Sequence, residues 1–248
     1  FDGVTVHDIT FPTQDRDTLE VPTTTTETTT TTTTTTESTT ETTTNAEPSG
    51  NEPKVYVVGD STACHYGDTD DVNFYYKRVG FGDKLQSYLT GANVVNLVLS
   101  GRSSKSFATG INENGAVDDS AVANYTQLKE NIKAGDTLII AWGHNDEKTD
   151  SYRFTDPNGD KDTAGSFKNS LYENYIKLAQ DKGATPILCT PIVRRTTNYN
   201  ATTGVTTWAN NDVHVANNGD YAQAVRDLGS ELGITVIDSR IINSRCSS

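Results

Sequence analysis

The chain has 248 residues and a formal net charge of −13, enough length for one substantial domain with appendages. That acidity sets it against nucleic acid and anionic membrane surfaces as partners, and no run approaches the roughly 18 apolar residues of a membrane span. The three cysteines, Cys64, Cys189 and Cys246, match no zinc spacing and permit one disulfide at most, with the pairing left open.

In chain order, Phe1–Phe11 comes first. Val4, Val6, Ile9 and Phe11 give a near-alternating pattern that predicts a strand. A segment this short cannot fold alone, so residues 1–22 read as the remnant of an upstream β-rich module, with a faint likeness to the last strand of carbohydrate-binding β-sandwiches. Thr23–Thr44 is almost pure threonine, interrupted by Glu27, Glu37, Ser38 and Glu41. It has nothing to bury, so residues 23–50 are expected to form a disordered, extended spacer.

From Asn51 onward, strand and helix patterns alternate. Lys54–Val58 reads as a buried strand, Phe81–Leu89 as a helix, and Val94–Leu99 and Thr137–Ala141 as strands. Phe167, Leu171, Tyr175 and Leu178 repeat at helical spacing until Gly183 stops the helix. Thr185–Cys189 is the next strand, with Cys189 read as a small core residue. Tyr221–Leu232 is a helix ended by Gly233, and Thr235–Asp238 a last strand. Such alternation implies an α/β fold: a central parallel sheet of about five strands in a three-layer α/β/α arrangement, with its site at the carboxyl ends of the strands.

Three of those ends carry suggestive chemistry. The first strand stops at Gly59-Asp60-Ser61-Thr62, where a serine on a rigid turn is placed to be a nucleophile. The second leads into Ser100-Gly101-Arg102-Ser103-Ser104, where Gly101 lets backbone approach a substrate so that its N–H can reach a developing oxyanion. The third ends in Gly143-His144-Asn145-Asp146, where the Asn145 amide can donate to the same oxyanion. The Gly-x-Ser-x-Gly elbow of α/β-hydrolases is absent.

Taken in this order and spacing, these blocks resemble the SGNH (GDSL-like) hydrolase superfamily. Together with Thr190-Pro191-Ile192-Val193-Arg194-Arg195 and Gly219-Asp220-Tyr221-Ala222-Gln223-Ala224-Val225-Arg226 they are similar to the rhamnogalacturonan acetylesterase family, over nearly all of residues 51–240. The resemblance implies a three-layer SGNH fold over residues 51–248 and a serine esterase needing neither cofactor nor metal. Ser61 would be the nucleophile; the amides of Ser61 and Gly101 and the side chain of Asn145 would form the oxyanion hole. The substrate implied is acetylated plant cell-wall polysaccharide, met outside the cell by a secreted, multimodular chain whose esterase part is monomeric.

One block is not found. The family carries an Asp-x-x-His near its C-terminus as general base and orienting carboxylate, and no histidine follows Asp238 here. The four histidines are His7, His65, His144 and His214. His7 precedes the spacer, His65 lies on the turn after Ser61, and His144 fills the variable position of its block. His214 reads as a substrate-loop residue near the crevice mouth. The expectation is that both ends continue in the whole protein, with the base beyond Ser248. Rival readings are a xylan acetylesterase, a lipolytic esterase, or a non-catalytic carbohydrate-binding or scaffold protein that has lost its base. Asp156–Asp162 spaces oxygens like a calcium loop, but without the glycine at position six or a glutamate at position twelve it reads as a solvated acidic loop. The glycosylation triplets at Asn124 and Asn200 carry little weight.

Overall fold

The structure, a computed structural model, describes residues 5–6, 52–66, 78–200, 202–211 and 214–239. The threonine-rich spacer, His7 and Cys246 lie outside them, as does all of the first expected strand except Thr5 and Val6. In chain order the elements are β1 (Thr5–Val6), β2 (Lys54–Gly59), α1 (Phe81–Lys84) with a 3-10 turn over Leu85–Tyr88, β3 (Leu89–Thr90), β4 (Asn93–Asn96), α2 (Ser104–Thr109), α3 (Asp119–Asn131) and β5 (Thr137–Ala141). Then come α4 (Phe167–Leu171), a π turn over Tyr172–Ile176, α5 (Lys177–Asp181), β6 (Thr185–Cys189), β7 (Arg194–Asn200), β8 (Val205–Asn211), β9 (Val215–Ala216), β10 (Gly219–Asp220), α6 (Tyr221–Leu232) and β11 (Val236–Ile237).

Five strands form one parallel sheet in the order β11-β6-β5-β2-β4. Counted along the chain, this is second-first-third-fourth-fifth. The order reverses between β2 and β5, and at such a switch point the loops leaving the two strands part to opposite sides and open a crevice. β2 alternates its side chains between the two faces. Tyr56 and Val58 join Phe107, Leu128, Trp142, Phe167, Tyr175 and Leu228 under α2 through α6. Val55 and Val57 join Ile139, Ala141 and Cys189 on the other face, covered among the described residues by Phe81, Leu85 and Leu89 around α1. Among the described residues, helical cover is therefore thicker on the first face than on the second.

The helices begin and end where the sequence supplies caps. Ser103 and Ser106 form a reciprocal capping box at the start of α2. Asp118 accepts from Ser120 and Ala121 at the start of α3, and Asp220 does the same for α6 through Ala222 and Gln223. Two antiparallel hairpins lack hydrophobic alternation: β7 with β8, and β9 with β10. The second turns through Asn217 and Asn218 at φ of 50° and 64°, the left-handed pair a tight hairpin turn requires and asparagine tolerates. β1 adds two residue pairs to β3, Thr5 with Thr90 and Val6 with Leu89. Cys64 and Cys189 are buried and free of disulfide.

Gly59 closes β2 opposite Ala141, the last residue of β5. A Cβ there would lie 2.6 Å from the Ala141 carbonyl oxygen, a backbone atom that cannot swing aside. Gly59→Ala should therefore force the two central strands apart at the switch point and cost about 1–3 kcal/mol. Thermal denaturation should show a Tm fall of roughly 2–12 °C; an unchanged Tm would mean the strand ends are not in this contact.

Candidate active site

The turn after β2 is organised by Asp60, which is 1% exposed. Its Oδ1 accepts from the Thr62 amide at 3.0 Å and the Thr62 hydroxyl at 2.9 Å, and its backbone carbonyl accepts from the Ala63 amide. Oδ2 reaches across the switch point and accepts from the His144 amide at 3.3 Å. One carboxylate thus fastens the Ser61 turn to the β5 end. The Ser61 carbonyl is in turn held by the Tyr66 hydroxyl at 2.8 Å.

On the other side, Asn145 donates from Nδ2 to the Arg102 carbonyl at 3.0 Å. The three blocks are therefore joined in one chain of contacts, Ser61-Asp60 to His144-Asn145 to Arg102-Gly101. Gly101 has φ of +79°, the left-handed region where a side chain is strained. Neither the Ser61 nor the Gly101 amide donates to another group among the described residues. The Asn145 amide has a second hydrogen that the Arg102 contact leaves unused, so with the Ser61 and Gly101 amides it makes three N–H donors carried on loops that these contacts tie together.

Beneath Asn145 lies a buried polar knot. Asp146 is fully buried and accepts from the Ser104 amide at 3.2 Å, the Ser104 hydroxyl at 2.5 Å and the Thr155 hydroxyl at 2.9 Å. The Ser170 hydroxyl lies 2.7 Å from that of Ser104. The Tyr175 hydroxyl donates to the Ser104 carbonyl, and the Tyr221 hydroxyl shares its hydrogen between the carbonyls of Asp146 and Thr155. Burial raises the pKa of both phenols, so they stay donors. Burial also pushes the Asp146 carboxyl up to about 7, against the opposing pull of its Ser104 and Thr155 hydrogen bonds, with nearby Asp60 adding a smaller upward push.

The described histidines are accounted for individually. His65 is exposed, its Nδ1 2.9 Å from Asp83. His144 places Nε2 2.8 Å from the Ile192 carbonyl. His214, read as a substrate-loop residue, is 2% exposed, with Nδ1 3.0 Å from Glu147 Oε2 and Nε2 2.8 Å from the same Ile192 carbonyl. It sits inside because both ring nitrogens find acceptors there and its face stacks on His144 at 4.2 Å. No hydrogen bond joins Ser61 to a described histidine. In the Asp156–Asp162 loop, Asp156 accepts from Asn158, Asp160 from Asp162 and Thr163, and Asp162 pairs with Lys161. Asn124 Nδ2 donates to the Leu97 carbonyl, tying α3 to the segment after β4.

A serine turn and an asparagine loop flanking the switch point of a parallel five-stranded sheet define a serine hydrolase of the GDSL type. The family model of the GDSL-like lipases/acylhydrolases matches residues 57–246, and the chain belongs to that family. It is 30% identical over 186 residues to the Bacillus subtilis (strain 168) protein named Probable rhamnogalacturonan acetylesterase YesY, covering 74% of this chain and 69% of that one. It is 29% identical over 190 residues to Rhamnogalacturonan acetylesterase RhgT of the same organism, covering 75% of this chain and 64% of that one. Among solved structures, YXIM_BACsu from Bacillus subtilis superposes with a TM-score of 0.52 at 23% identity, over 78% of this chain and 45% of that one, a likeness of fold.

The knot has a measurable pH signature. Asp146 has a folded pKa of about 7 against an ordinary value of 3.8, so between these values the folded state binds the extra proton. Its contribution to stability is full below pH 4 and is lost as pH rises to about 7. Asp146→Asn cannot titrate. The wild-type unfolding free energy, measured in urea, should therefore fall relative to that of the variant across this window. A difference that stays constant across this window would show that Asp146 is ionised throughout.

Proposed function

We propose that this chain is a serine esterase that removes acetyl groups from rhamnogalacturonan or related pectic polysaccharide. The single observation that supports the reading is the contact chain from Asp60 through His144 and Asn145 to Arg102, which ties the Ser61 turn, the Asn145 turn and the Gly101 loop to one another. The names of the two curated relatives support acetylated rhamnogalacturonan as the substrate. Action outside the cell, in a chain with further modules joined by the threonine-rich spacer, belongs to the same proposal.

In this mechanism Ser61 Oγ attacks the acetyl carbonyl carbon and gives its proton to a general base. The carbonyl oxygen becomes an oxyanion, held by the amides of Ser61 and Gly101 and by Asn145 Nδ2. The C–O bond to the sugar then breaks, and the sugar oxygen takes the proton back from the base. Water next attacks the acetyl-Ser61 ester under the same donors and releases acetate. The Asn145–Arg102 contact orients the amide before substrate arrives, so the donor needs no reorganisation when charge develops.

The nucleophile test is Ser61→Ala, which should remove essentially all acetate release from acetylated rhamnogalacturonan while Tm stays near wild type. Retained turnover would remove Ser61 from the mechanism. Acetate released faster from xylan would move the substrate to hemicellulose, and binding without release would make the protein a carbohydrate-binding one.

Asn145→Ala should lower kcat by about 10²–10³-fold with a much smaller change in KM, because its bond strengthens only as charge develops. A raised KM at constant kcat would make Asn145 a ground-state binding residue.

A further inference from the structure

We propose that His214 is a positioning residue for Asn145, acting as a clamp between the turn that carries Asn145 and the loop after β6. The inference rests on the reading of Asn145 as an oxyanion donor. His214 precedes β9, 69 residues after Asn145 in sequence, yet its side chain contacts His144 and Glu147, which flank Asn145-Asp146. Nδ1 meets Glu147 Oε2 at 3.0 Å, and the ring stacks on His144 at 4.2 Å between centroids and 28° between planes. Nε2 and His144 Nε2 both lie 2.8 Å from the Ile192 carbonyl, so one backbone oxygen receives both rings.

The clamp is itself anchored, since the His214 carbonyl accepts from the Tyr221 amide at 2.8 Å at the start of α6. Asn145 stands between residues that are all tied down: His144 to Asp60 and Ile192, Asp146 to the buried knot, Glu147 to His214. Its own amide makes a single described contact, with the Arg102 carbonyl, so its direction depends on how firmly that turn is held. An oxyanion donor is effective only within a few tenths of an ångström of its working position, and a misplacement of about 1 Å can cost on the order of 10²-fold in rate.

The test is a double-mutant cycle in the full-length protein. His214→Ala should lower kcat about 10–100-fold with KM within about twofold. Asn145→Ala/His214→Ala should be no slower than Asn145→Ala beyond about threefold, because His214 acts only through the group already removed. Losses that multiply would overturn the proposal. If His214→Ala does not fold, His214→Gln keeps one donor toward Ile192 and should give a smaller loss that is equally silent in the Asn145→Ala background. A second readout needs no turnover: the Asn145 side-chain amide resonance, identified by its disappearance in Asn145→Ala, should shift or broaden in the His214 variant. An unmoved resonance overturns the clamp whatever the kinetics. Ser61→Ala run beside these variants separates the two readings. If it leaves hydrolysis intact, the esterase assignment of Ser61 fails and the resonance alone decides the clamp.

Discussion

The arrangement of the site depends on one buried carboxyl group. Asp146 takes the Ser104 amide and hydroxyl and the Thr155 hydroxyl into a single cluster without exposure to water. Ser104 is the first residue of α2, directly after the Gly101–Ser103 loop, and Asp146 directly follows Asn145. The bond between them fixes the second and third blocks relative to each other from below. Tyr175 and Tyr221, from the helical segments packed on that face, close the cluster by donating to its carbonyls. Asp60 performs the matching task above, joining the first block to the third. Two carboxyl groups therefore register three loops that arise from three different strands.

The sheet order explains why these loops can meet at all. β2 and β5 are neighbours in register through Gly59 and Ala141, and their chains depart to opposite sides. The gap so created leaves the Ser61 and Gly101 amides without internal acceptors among the described residues, in a fold where nearly every buried amide is paired. Unspent donors at a strand end are costly when buried and useful when a substrate oxygen arrives. Gly101 lies in the left-handed region, where a side-chain-bearing residue would be strained by about 1–2 kcal/mol.

Much of this was legible in the amino-acid sequence, for physical reasons that differ by element. The strands Thr137–Ala141 and Thr185–Cys189 and the helix Tyr221–Leu232 fall where apolar runs and Gly233 place them, because a strand buried on both faces must be apolar and a helix stops at a left-handed glycine. The three blocks were visible as polar triplets interrupting such runs. α2 and α3 were not read, since Ser104–Thr109 and Asp119–Asn131 are largely polar and show little periodicity; Ser103 and Asp118, their caps, were the available signals. The β7–β8 hairpin is rich in threonine and asparagine, and tertiary context rather than alternation makes it a strand pair. His214 reads from the sequence as a substrate-loop residue because it follows the strand Thr185–Cys189. Nothing local announces that Glu147 and the Ile192 carbonyl wait for it, since both are brought there by the fold.

The density of buried polar groups under the site is best understood as specification rather than stability. Asp60 and Asp146 are both within 1% of full burial, and the His214–Glu147 pair lies close by. Replacing such groups with well-packed apolar residues is often neutral or stabilising, because taking charges out of water costs nearly as much as their pairing returns. An apolar contact, however, has no preferred direction, and a loop resting on leucines can slide by an ångström at little cost. A hydrogen bond to a buried carboxylate fails over that distance and leaves an unsatisfied group behind. Each polar contact beneath Asn145 therefore penalises displacement far more steeply than packing would. This fixes the turns around Asn145 in direction as well as in position.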